Sequence, residues 1–341
     1  MKRRAIFFAA FILLLGGLGA SSEAAKTQFL LDWIVYGKHA PFFAAQDMGF
    51  FKKVGLDVEY KRGFGSGDTI VKIGAKAAPL GFADASSLVN ARANSDVKVK
   101  IVAMNHAKAM SVVVFLKEKG YKTPKDLVGA RYGTPLASST AVIFPALAGA
   151  NGFDSKDVKW IEMPYAASIP SLLAGRVDFI TLFTTELPTL LPKAAALGKE
   201  VKMLYYSDWG VDTYNNGVIV HDDTIKAEPN FVRNAVKAYT DAWAWSLVHV
   251  DEAVKNFLKY APGMSEPIIR GHLTVAIEHL FDDGVRQHGL GYTDHKKMDY
   301  TVDILTRLQK LKKRVPTEEM YTNRFLPQWP AIKAALGDKA M

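Results

Sequence analysis

Two stretches decide the fold: LDVEYKRGFGSGDTIVKIGAKAAPLGFADA (residues 56–85) and KDVKWIEMPYAASIPSLLAGRVDFITLF (residues 156–183). Each opens on a strand-like run, crosses a loop into a helix-like run ending near glycine, and closes on an apolar strand. Val58 matches Val158, Tyr60 matches Trp160, and Phe82 matches Phe179 after a three-residue offset. Either one unit is used twice or two independent strand-helix-strand units share a pattern. A duplicated unit predicts two similar α/β domains facing each other, with a ligand outside the carboxyl ends of the strands.

The rest of the chain continues the alternation. TQFLLDW (27–33) reads as a strand, APFFAAQDMGFFKKVG (40–55) as a helix, and VKVKIVAMN (97–105) and MSVVVFLKE (110–118) as strands. ARYGTP (130–135) is a strand and STAVIFPALAGANG (139–152) a helix stopped by Gly152, as left-handed helix ends prefer. After NNGVIVHD (215–222) the sequence is helical from Pro229 onward. The class is therefore α/β, with mainly parallel sheets.

At the other end of the chain, Lys2, Arg3 and Arg4 precede an apolar run, Ala5 to Leu18, and small residues reach Ala25. That pattern predicts a secretory signal peptide over residues 1–24, too short in its apolar part to span a bilayer comfortably. The chain has no cysteine, which excludes disulfides, thiolate metal sites, thiol nucleophiles and a lipidated-cysteine anchor. The expected product is exported, free of a lipid anchor and monomeric. Its charge is +9, or +7 without the leader. The cations are dispersed apart from KLKKR (310–314), so nucleic acid is not an expected partner. No HExxH pair, G-x-S-x-G elbow or phosphate-binding loop is present, and no cofactor or metal is expected. His272 and His279 share a helix face at a spacing of seven without a third partner nearby.

LDW followed by HAPFFAAQDMGFFKKVGLDV, then GFGSGDT, GFADASSL, KTPKDLVGARYG, LLAGRVDF and SDWGVDTY occur in this order. The series resembles the periplasmic substrate-binding proteins of the nitrate, sulfonate and thiamine-pyrimidine uptake family. The resemblance covers essentially the whole mature chain. It implies a type II periplasmic binding fold, a Venus flytrap of two lobes exchanging across two hinge strands. It also implies delivery of a small solute to an inner-membrane ABC permease with its ATPase, and no enzymatic step. The expected division is lobe 1 over 25–108, lobe 2 over 109–213, and completion of lobe 1 with C-terminal helices over 214–341. The crossings are expected near Asn105 to Val114 and Asp212 to Val220. This chain departs from the thiamine-pyrimidine branch after Asp32-Trp33, where it carries Ile34-Val35-Tyr36-Gly37.

The candidate ligand contacts are the strand ends and the loops after them. Asp32 and Trp33 end the first strand, with Tyr36 and His39 in the next turn. Trp33 reads as a stacking face or a core residue, and Asp32 as a ligand acceptor or a helix cap. GFGSGDT brings Phe64 and Ser66 toward the cleft on a loop whose glycines let backbone approach a ligand. Asp84 and Ser86 follow the third strand, and Ser138, Ser139 and Thr140 start a helix in the second lobe; all five suit ligand contact or capping. Thr184 and Glu186 end a strand, and Trp209, Asp212 and Tyr214 lie near the second crossing. Aromatics beside acids favour a flat, nitrogen-bearing solute such as a thiamine pyrimidine precursor. The alternatives are a sulfonate, taurine or nitrate, or an exported enzyme on the same fold.

Overall fold

The computed structural model describes residues 26–328, so the expected leader lies outside the described residues. Among the described residues ten strands form two sheets. They are β1 (Thr27–Leu30), β2 (Val58–Lys61), β3 (Leu80–Asp84), β4 (Val99–Met104), β5 (Ser111–Leu116), β6 (Arg131–Thr134), β7 (Lys159–Glu162), β8 (Phe179–Phe183), β9 (Val201–Tyr205) and β10 (Asn216–His221). The first sheet runs β2-β1-β3-β10-β4 and the second β7-β6-β8-β5-β9.

As expected the sheets are mainly parallel, with four of the five strands in each running the same way. In each sheet one reversed strand sits between two others: β10 is antiparallel to β3 and β4, and β5 is antiparallel to β8 and β9. These are the strands that follow the crossings between lobes. A strand entering from the other lobe arrives without the crossover helix that a parallel pair requires, so it can run backwards. The chain passes to the second sheet between β4 and β5 and returns between β9 and β10. The two passages are stitched together. Asn216 C=O accepts from the N–H groups of Asn105 and His106, both at 2.9 Å, and His106 C=O accepts from Asn215 N–H.

Thirteen α-helices are described: α1 (Ala40–Asp47), α2 (Phe50–Lys53), α3 (Ser66–Gly74), α4 (Ala85–Ser95), α5 (Ser139–Ala150), α6 (Tyr165–Leu173), α7 (Leu187–Ala196), α8 (Asp222–Ala227), α9 (Pro229–Val248), α10 (Val250–Leu258), α11 (Glu266–Glu278), α12 (Asp283–His288) and α13 (His295–Leu308). α9 starts with proline at its first turn, where no N–H is missed, and buries Val232, Val236, Tyr239 and Trp243 at helical spacing. β5 is buried on both faces and splits its side chains with period two. Val113 and Phe115 join one apolar core, while Val112, Val114 and Leu116 join the core of the second lobe.

The internal repeat is visible in the pairing. Phe29 pairs with Tyr60 and Leu80; Tyr132 pairs with Trp160 and Phe179. Tyr60 and Trp160 are thus equivalent, as the sequence suggests. The counterpart of Phe179 is Leu80, two residues before the expected Phe82.

Candidate functional site

The carboxyl ends of β1, β3, β6 and β8 meet where the lobes face each other. The cleft there is lined by Asp32, Trp33 and Ser66 from one lobe, and by Ser138, Thr140, Tyr165, Ser168, Thr181 and Glu186 among others from the second. The lobes are in contact, and the space left between the lining atoms is about 30 Å³, water-sized rather than ring-sized.

Asp32 is 2% exposed and both its oxygens are engaged. Lys38 Nζ donates to Oδ2 at 2.6 Å, Asn216 Nδ2 donates to the same atom at 3.0 Å, and His39 Nε2 lies 2.9 Å from Oδ1. Burial opposes the charge, yet the Lys38 cation and the His39 hydrogen bond hold the carboxyl well below the usual range. Burial pushes His39 down, so the ring is neutral. Its Nδ1 accepts from Tyr36 N–H at 3.4 Å, which leaves Nε2–H to donate to Asp32. Asp32 therefore anchors the end of β1 to the first residue of β10, directly after the second crossing.

Trp33 meets Tyr165 edge-to-face across the cleft, with centroids 5.4 Å apart. Beside them Gly65, at φ +128°, brings backbone against backbone: a Cβ there would lie 2.4 Å from Ala137 C=O of the other lobe. Ser66 Oγ accepts from Asp84 N–H and from Ser139 Oγ, both at 3.0 Å, the second bond crossing between lobes.

On the second lobe, Ser138 caps α5 by accepting from Ala141 N–H, and Thr181 Oγ1 donates to Thr140 at 2.8 Å. Two cleft atoms have no hydrogen-bond partner: Glu186 Oε1 and Ser168 Oγ. The other Glu186 oxygen accepts from Phe183 N–H at 2.9 Å. The Tyr165 phenol interacts with the same carboxyl. Burial pushes Glu186 up, opposed in part by Tyr165, the Phe183 N–H and Lys38. Burial and the Glu186 charge push the Tyr165 phenol up.

The structure brings Asp32, Trp33, Ser66, Ser138, Ser139, Thr140 and Glu186 together in the cleft. The other nine candidates lie outside the lining of this cleft. Phe64 points outward, 60% exposed, between the cations of Arg62 and Lys72, because positive φ at Gly65 turns the backbone after it. Tyr36 and His39 are buried behind the cleft, where the Tyr36 hydroxyl bonds Thr185 of the second lobe at 2.8 Å. Asp84 caps α4 through Ser87 N–H, and burial pushes its carboxyl up to about 6. Ser86 bonds Thr213 on the second crossing. Thr184 faces away from the cleft toward His279 at 3.2 Å. Trp209 packs against the core and gives its carbonyl to Asn151. Asp212 is exposed near Lys297, and Tyr214 is fully buried with its hydroxyl accepting from Asp294 N–H.

Tyr165, Ser168 and Thr181 were not among the sequence candidates. The repeat carried a signal for the first: the offset of 100 that pairs Tyr60 with Trp160 sets Tyr165 against Gly65, the residue before α3. Lys38 was missed as a structural partner because a lysine in a loop reads as solvated.

Residues 37–253 match the model of the family described as NMT1/THI5 like. The chain belongs to this family. It is 24% identical over 313 residues to the formylaminopyrimidine-binding protein of Halalkalibacterium halodurans, covering 89% of this chain and 92% of that one. It is 25% identical over 320 residues to the riboflavin-binding protein RibY of Chloroflexus aurantiacus, covering 90% and 88%. Among solved structures, the alkanesulfonate-binding protein SsuA of Xanthomonas axonopodis pv. citri superposes with a TM-score of 0.64 at 13% identity, over 89% of this chain and all of that one. The last likeness carries the fold alone, that of the periplasmic binding proteins. By family and fold the chain is a two-lobed NMT1/THI5-like protein.

Proposed function

We propose that the protein captures a flat, nitrogen-bearing heterocycle in the periplasm and hands it unchanged to an ABC importer. The observation that carries this reading is the unpartnered, buried Oε1 of Glu186 beside the Trp33 and Tyr165 rings. A buried acceptor without a partner is costly, and a ring amino or ring N–H group is its natural complement. The two aromatic faces would part to take the ring between them. Ser168 Oγ supplies a second free polar atom. The charged residues lining the cleft are both acids, Asp32 and Glu186, so a sulfonate or nitrate meets no lysine or arginine there. Two matched relatives carry names for flat nitrogen heterocycles, a formylaminopyrimidine and riboflavin. Residues 25–108 with 214–341 would form one moving lobe and 109–213 the other. A ligand touching both favours the closed state.

The test is a thermal-shift screen of aminopyrimidines, flavins, aromatic acids and alkanesulfonates, with recovery of the bound compound by mass spectrometry. A heterocycle should raise the melting temperature by mass action and be recovered intact. Glu186→Gln should weaken it by about tenfold to a hundredfold, the loss of one charge-assisted hydrogen bond of ~1.5–3 kcal/mol. A shift by sulfonates alone, or recovery of a converted product, would overturn the reading.

A further inference from the structure

The first crossing begins at Asn105, the residue after β4, and a small cavity lies against it. Asn105 and two residues of α9, Tyr239 and Trp243, bring polar side chains to that cavity. Met104, Leu280 and Leu290 wall it with apolar side chains, and Gly291, whose C=O accepts from Met104 N–H at 2.8 Å, completes that side. Asn105, Tyr239 and Trp243 are 4%, 3% and 1% exposed, so their polar atoms are cut off from bulk water. Tyr239 Oη donates its proton to Asn105 Oδ1 at 2.6 Å. The other half of that amide, Asn105 Nδ2, has no hydrogen-bond partner, and neither has Trp243 Nε1. Burial pushes the Tyr239 phenol up, and the nearby Trp243 indole opposes this in part. Two buried donors thus share one cavity with a hydroxyl oxygen that has given its proton away and keeps its lone pairs. A buried donor left unmet is costly, and each one in a native fold calls for a partner.

We propose that this cavity is a site for a single buried water, which accepts from Asn105 Nδ2 and Trp243 Nε1 and donates to Tyr239 Oη. The space inside it is about 10 Å³, close to the least that holds one water and too little for an organic molecule. Three hydrogen bonds are the usual complement of an internal water. A cation would find two donors turned toward it. A halide would satisfy both donors, but no charged residue lines the cavity, and the anion would set its charge against the Tyr239 lone pairs in apolar surroundings. Water alone serves donors and acceptor together, because it accepts twice and donates twice. The site fixes the root of the first crossing. Asn105 N–H donates to Asn216 C=O at 2.9 Å, so the residue whose side chain is held to α9 by Tyr239 and the water also ties the two passages together. α9 gives a firm footing there, since the Tyr239 ring packs against Phe42 and Phe82 with centroids 5.3 and 6.4 Å apart. Asn105 and Trp243 are therefore positioning residues of the hinge.

Every residue lining the site lies before β5 or after β10, so the water depends neither on the solute nor on how far the lobes have closed. Its test is a crystal structure of the solute-free protein at a resolution that orders water, with a second crystal soaked in sodium bromide. One density peak should lie about 2.7–3.2 Å from both Asn105 Nδ2 and Trp243 Nε1, with no anomalous bromide signal. In solution, the Trp243 indole N–H, identified by the resonance lost in Trp243→Phe, should show a nuclear Overhauser cross-peak to water of the sign that marks a residence longer than molecular tumbling. That cross-peak should persist in Tyr239→Phe, which removes the hydroxyl able to relay it and frees Asn105 Oδ1 to accept from the water instead. The Thr240 hydroxyl is turned to its own helix, where it donates to Val236 C=O at 3.0 Å. Circular dichroism checks that each variant is folded. A cavity without density in which the indole bonds the Tyr239 hydroxyl directly, a bromide peak at the site, or a cross-peak lost with the hydroxyl in folded Tyr239→Phe would overturn the water site whatever the solute proves to be.

Discussion

Asp32→Asn is expected to lower unfolding stability by about 3–5 kcal/mol, measured as a fall in the urea midpoint at pH 7. The substitution leaves Lys38, 1% exposed, as a buried cation without its carboxylate. What remains around the ammonium is the ring faces of Tyr36, Phe82 and Phe183, at 5.3, 5.9 and 5.2 Å. Contacts of this kind contribute only about 0.5–2 kcal/mol each. The new amide N–H faces either the ammonium and Asn216 Nδ2 or, turned over, His39 Nε2–H, donors in both cases. If the loss is that of an orphaned charge, Lys38→Met added to Asp32→Asn should recover most of it, since removing both partners of a buried pair is often near neutral. The wild-type carboxyl is held below its unfolded value of about 4, so its contribution is complete above that pH. It is lost as pH falls further, and Asp32→Asn should show a flatter acid limb.

Gly65→Ala should separate folding from closure. The residue sits at φ +128°, where a side chain is strained whether the lobes are closed or open; that costs about 1–3 kcal/mol of stability. The contact at 2.4 Å with Ala137 C=O exists only when the lobes meet. A methyl group there holds them apart, breaks the reach of Ser139 to Ser66, and should weaken solute binding by about a hundredfold, some 2.7 kcal/mol. Titration calorimetry on protein shown to be folded measures the second effect independently of the first.

The strand ends were legible because the strand-like runs ending near Leu30, Thr134 and Phe183 give way to loops and helix starts, where side chains turn into a cleft. Trp33, Ser138 to Thr140 and Glu186 follow from that alone. Direction was not legible. Phe64 and Ser66 flank the same glycine, and only its positive φ sends one outward and the other inward. Nor was the tie between Asp32 and Lys38, since burial of a lysine depends on packing from β3 and β8, far away in sequence. Tyr214 and Trp209 read as cleft aromatics because they sit at a crossing, yet α13 covers the first and the core takes the second. Tyr165 was within reach through the repeat, whose registration in the loops is clearer than in its final strand.

The most direct test of the binding account is calorimetric titration of an aminopyrimidine into the wild-type protein and into Trp33→Ala, with an alkanesulfonate as the comparison ligand. The account predicts one-to-one binding of the heterocycle, weakened by about 1–3 kcal/mol without the indole face, and no heat from the sulfonate. Saturable binding of the sulfonate with none of the heterocycle, or equal heterocycle affinity in Trp33→Ala, would contradict it.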